Sequence, residues 1–113
     1  MDRLTSHQET IKQILRERQL LACPSLPAGL EVTCLCDDVS GQYALLTVGW
    51  MQRERVCGAT LLLRIKNGQI WIEADETDAP VAEDLVHAGV SPHDIVLGFQ
   101  PPEMRAQTAF AAA

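Results

Sequence analysis

Carboxylates and thiols are the residues of this 113-residue chain with the clearest chemical capacity. Asp75, Glu76 and Asp78 cluster at the end of an apolar run. Clustered acids can hold Mg²⁺ or supply an acid and a base for hydrolysis. No P-loop, Gly-rich phosphate cradle or nucleophile elbow accompanies them. Their duty can also be local: Thr77 or Asp78 caps a following helix, and the other acids sit near its positive end. Cys34, Cys36 and Cys57 would have to converge across a sheet to bind a metal. Their Cys-x-Cys spacing, with His7, His87 and His93 elsewhere, is not that of a zinc site. Small buried apolar residues are the better account of these cysteines. The histidines have no visible nucleophile beside them and read as surface residues. Arg53 and Arg55 flank Glu54 at an expected hairpin tip, a weak signal for phosphate. No cofactor or metal is expected from these groups.

The elements that carry these residues follow from length, charge and periodicity. At 47% hydrophobic and 21% charged, residues 1–113 have the composition of one folded domain. No apolar run approaches the ~20 residues of a membrane span, no signal-peptide core opens the chain, and four cysteines are few for a disulfide scaffold. A reducing cytoplasm is the expected compartment. The net charge is −6, unevenly spread: residues 67–104 hold eight acids and no Lys or Arg. Such a surface repels phosphate, so direct nucleic-acid binding is expected to be weak, whereas a basic protein partner fits it.

Ser6 and Glu9 match a capping box, and Ile11, Ile14, Leu15, Leu21 and Ala22 then share one helical face. Pro24, Pro27 and Gly29 end that helix. A β-meander follows over 30–37, 42–50, 55–66 and 69–75. Asn67-Gly68 is its strongest hairpin signal, because both positions of a type I′ turn need φ > 0. With the previous turn at Arg53-Glu54, Leu46, Val48 and Trp50 join Leu61, Leu63 and Ile65 on one apolar face. A second helix begins near Asp78 and stops at Gly89, and a short buried strand covers 95–99. The fold class is α+β: a four-stranded antiparallel meander plus a short fifth strand, with both helices on one face.

Several runs, taken together, carry a resemblance. They are 43–50 (YALLTVGW), Arg55 with Gly58, 67–75 (NGQIWIEAD), Thr77-Asp78 and 85–90 (LVHAGV). They continue through 94–99 (DIVLGF) to Pro101-Pro102, Arg105 and Phe110. Over residues 30–111 this order and spacing resemble the fdxN element excision controlling factor (XisI-like) family of cyanobacteria. The motif positions include Gly49, Trp50, Gly89 and Phe99. The chain departs from the family at Gln100 and Leu62, where histidine is common. The resemblance implies an accessory role in programmed DNA excision during heterocyst differentiation. Strand exchange would fall to a separate site-specific recombinase, with an XisH-like companion protein alongside.

A non-enzymatic regulator acting through a protein partner is therefore the leading expectation. A small metal-dependent hydrolase or nuclease using Asp75, Glu76 and Asp78 is the alternative. The expected interface is the sheet face opposite the helices, carrying Tyr43, Leu45, Leu62, Arg64, Trp71 and Glu73, with the acidic turn at its edge. Tyr, Trp and Arg are common interface anchors. The same face can join two copies in a homodimer, and a folded-back tail with Phe110 would instead make it core.

Overall fold

The computed structural model describes residues 2–112. Helix α1 (Arg3–Ala22) starts before the Ser6–Glu9 pattern, because Asp2 accepts a 2.7 Å hydrogen bond from the Thr5 amide and is the N-cap. Ile11, Ile14 and Leu15 are buried from this helix, as their spacing requires. His7 is buried with them, against the expectation of a surface histidine, and its Nε2 lies 3.6 Å from the Asp94 carboxylate. Leu21 is 77% exposed because the last turn of α1 borders an open cleft rather than a closed core.

Strands β1 (Leu30–Asp37), β2 (Gln42–Met51), β3 (Glu54–Lys66) and β4 (Gln69–Asp75) form an antiparallel meander. Strand β5 (Ile95–Leu97) adds parallel to β4, and Ala111 makes a single bridge to Val96 beyond it. The strand ends two residues short of its expected limit, and Phe99 is 48% exposed. Between β4 and β5 lies helix α2 (Val81–His87), and a short helix α3 (Pro102–Arg105) follows β5. Gly89 has φ +99° just past α2, as the expected stop requires.

The Asn67-Gly68 turn is as expected, with φ of 54° and 76°, and it sets Ile65 opposite Ile70 and Leu63 opposite Ile72. The β2–β3 turn differs. It lies at Gln52-Arg53, so that Trp50 faces Arg55 and Val48 faces Cys57. Leu45 pairs with Leu61 and Leu46 with Ala59, leaving Thr60 as an extra residue whose hydroxyl donates to the Leu45 carbonyl at 3.2 Å. Because side chains alternate, one extra residue exchanges the faces on either side of it. Tyr43 and Leu45 therefore point to the helices and are buried, and Leu46, Val48 and Trp50 point away. The expected face assignment of all five is corrected by this bulge. A second irregularity sets Leu62 opposite Ala74 but Leu63 opposite Ile72, so Leu61 faces Asp75 rather than Ala74.

The core lies between one sheet face and the helices. Tyr43, Leu45, Leu61, Leu63, Ile70, Ile72 and Ile95 meet α1 and, from α2, Val81 and Leu85. Tyr43 donates to Asp38 at 2.7 Å, and Asp38 also accepts from Lys12 of α1 at 2.9 Å. This trio ties the β1–β2 turn to the first helix. Lys12 and then Tyr43 hold the Asp38 carboxyl below its ordinary value of 3.8. Burial, then the Asp38 hydrogen bond, pushes the Tyr43 phenol up.

Two outcomes follow from this frame. Gly68→Val should lower stability by about 1–2 kcal/mol in thermal melts, since a β-branched residue is strained at positive φ. The Asp38 contribution has the sign of a depressed carboxylate: it is fully present above pH 3.8 and is lost as pH falls through the lower native value. Asp38→Asn should therefore lower the melting temperature at pH 7, and the gap from the unmodified protein should close as the melts are repeated below pH 3.8.

Candidate interaction surface

Alternation about the observed register defines what the sheet presents on its uncovered side. Leu46 lies between Thr33 and Ala59, Val48 between Glu31 and Cys57, and Leu62 between Ala44 and Ala74. Leu35, at 56% exposure, and Trp50, at 54%, extend this apolar field along β1 and to the far end of β2. Arg55 stacks over the Trp50 ring at 5.5 Å. Four expected interface residues, Leu62, Arg64, Trp71 and Glu73, are on this side. Tyr43 is not, being buried under the helices. Leu46, Val48 and Trp50, read as core from an unbulged strand, are surface residues that the sequence reading missed.

Trp71 is held at the β4 edge of this face. Arg64 faces it across the strands but bonds Glu73 at 3.1 Å instead of stacking. The cations over the indole are Lys66 at 4.9 Å and Arg105 at 5.1 Å. Arg105 also donates to the carbonyls of Leu97, Gln100 and Gly98. The segment after β5 therefore half-covers Trp71, whereas Phe110 packs against the helix-side core. Among the described residues the tail does not close over the rest of the face.

The acidic turn has a different construction. The β4 irregularity turns Asp75 toward the helices, where Oδ2 accepts from the Val81 amide at 2.7 Å and Oδ1 from the Thr77 amide at 2.9 Å. Asp75, not the expected Thr77 or Asp78, thus caps α2, whose N-terminal Pro80 offers no side-chain acceptor. Glu76 and Asp78 are exposed. Asp75 is spent on backbone amides, and among the described residues no group of three His, Cys, Asp or Glu is placed to hold a metal. The thiols divide between the two faces. Cys34 is half-buried on the helix side and donates to Gln19 at 3.2 Å. Cys36 and Cys57 are exposed, contrary to the expectation of burial, and Cys57 lies on the open side. Burial raises the Cys34 and Cys36 thiols above their ordinary value.

The XisI protein family model matches residues 1–112. The chain belongs to the XisI family. Among solved structures, it is similar to an XisI-like protein from Anabaena variabilis, 33% identical over 97% of this chain and 99% of that one, with a TM-score of 0.89. It is also similar to the fdxN element excision controlling factor XisI of the same organism, 38% identical over 99% and 100%, with a TM-score of 0.86. No curated protein matches it.

Several of the XisI-like motif positions have structural duties. A Cβ on Gly49, at φ +143°, would collide with the Gly29 carbonyl where the chain enters β1. One on Gly98 would strike Glu73 and Trp71. Pro101 and Pro102 start α3, which brings Arg105 back onto Trp71. Nothing in the structure explains Gly58, whose Cβ direction is open. Among the described residues no helix is long and apolar enough to cross a membrane.

Asp75→Ala should remove the α2 cap and cost about 1 kcal/mol of stability. Unmodified protein and Asp75→Asn should both give no heat on Mg²⁺ or Mn²⁺ addition in calorimetry. Tight binding lost in the Asn variant would restore the hydrolytic reading.

Proposed function

We propose that this XisI-family chain is an accessory controlling factor for programmed excision of a DNA element of the fdxN type. In this reading it acts without chemistry of its own, through a protein partner. Support comes from its full-length likeness to an excision controlling factor and from the engagement of Asp75 as a helix cap. The observation that carries the reading is the uncovered sheet face, an apolar field over four strands with Leu35 and Trp50 more than half exposed. Large contiguous apolar surface of this kind marks interaction sites. The partner class is the recombination machinery itself: a site-specific recombinase or an XisH-like companion, with the exposed Glu76 and Asp78 offering contacts to basic side chains. Direct DNA contact is a poor fit, since Lys12, Arg18 and Arg64 are already paired with Asp38, Asp84 and Glu73.

The test is an excision assay in cells carrying the element and its recombinase. Leu46→Asp and Trp50→Ala should lower excision at least about tenfold while circular dichroism and melting stay near those of the unmodified protein. Normal excision with both variants would overturn the assignment of this face. In gel shifts at about 150 mM salt, duplex DNA should show no sub-micromolar binding.

A further inference from the structure

We propose that the occupant of the open sheet face is a second copy of this chain, packed sheet on sheet. The inference rests on the reading of that face as an interface and names what covers it. Three observations converge on a copy of the same surface.

The first is size. With β2 ten residues long, the four meander strands present about 600 Å² per copy. That approaches the ~800 Å² per partner of a stable complex. The second is charge. The chain carries −6 overall, so two copies repel across most of their surfaces. The open side does not share this excess of acid: Arg55, Arg64, Lys66 and Arg105 stand there against Glu31, Asp37 and Glu73. The third is the arrangement of those charges. The acids Glu31 and Asp37 lie at opposite ends of β1; Asp37 is level with Trp71, over which Lys66 and Arg105 stack, and Glu31 lies toward the end of the sheet that carries Arg55. A two-fold axis running along the strands turns β1 of one copy over β4 of the other. Asp37 of each copy then meets the Lys66–Arg105 end of the other, Glu31 comes near the Arg55 end of the other's β3, and the Leu46, Val48 and Leu62 centres meet each other. Aligned packing of two twisted sheets is the ordinary geometry for such a pair.

The test uses the unmodified full chain first. Light scattering after size exclusion should give twice the 12.4 kDa chain mass. Alkylation followed by mass spectrometry should find Cys57 slowed about tenfold in the dimer relative to Cys23, which lies off this face. Leu46→Asp should be monomeric and folded. If that variant does not fold, the Cys57 protection decides alone. A monomer at about 100 μM, or a dimer in which Cys57 reacts as fast as Cys23, overturns the proposal. A monomer whose Trp50→Ala variant still loses excision would sink the second copy but keep the face as a heterologous interface. Retained excision would sink the interface reading as well.

Discussion

Thr60 is one residue more than β2 can match, and its hydroxyl closes onto the Leu45 carbonyl to hold the bulge. Side chains in a strand alternate strictly, so this single insertion sets which half of each strand belongs to the core. Below it, Tyr43, Leu45, Leu61 and Leu63 build the helix-facing layer. Beyond it, Leu46, Val48 and Ala59 face outward. A strand pair without the bulge would bring Trp50 under the helices and leave Tyr43 without its Asp38 partner. The irregularity in β4 acts in the same way at shorter range, turning Asp75 to the α2 amide while Ala74 joins the open face.

The result is a two-layer domain finished on one side only. On the helix side, polar ties reinforce apolar packing: Lys12, Asp38 and Tyr43 at one end, and Arg18 with Asp84 and Thr77 at the other. On the open side, the one local cover among the described residues is the segment from Gly98 to Arg105, which secures Trp71 by stacking and carbonyl hydrogen bonds. An unfinished apolar layer costs solubility unless a partner covers it. The net charge of −6 acts against non-specific association of such a layer.

Seen through the XisI family, the motif residues are mostly structural. Gly49 admits the Gly29 carbonyl, Gly98 admits Trp71 and Glu73, and Arg105 gathers the chain after β5. They build the edge and entrance of the open face. The acidic stretch after residue 67 divides likewise: Asp75 caps α2, Asp84 meets Arg18, Asp94 lies beside His7, and Glu76 and Asp78 stay exposed.

Local chemistry was enough to specify much of this from the sequence. Helix α1 follows from 3.6-residue spacing, the β3–β4 hairpin from Asn67-Gly68, and the stop of α2 from Gly89, because each depends on residues a few positions apart. The family was legible too, since its motifs keep their order and spacing over 30–111. The open sheet face was legible only in part: Leu62, Arg64, Trp71 and Glu73 lie on it as the well-marked hairpin predicts. Tyr43, Leu46, Val48 and Trp50 were not, because nothing in the run from Val56 to Leu63 marks Thr60 as the extra residue. Where a bulge forms is decided by which pairing lets both strands bury their large side chains at once. That is a property of two strands and the helices over them. The burial of His7 and the capture of Trp71 by Arg105 depend on tertiary structure for the same reason, since each joins groups distant in the chain that only the packed layers bring together.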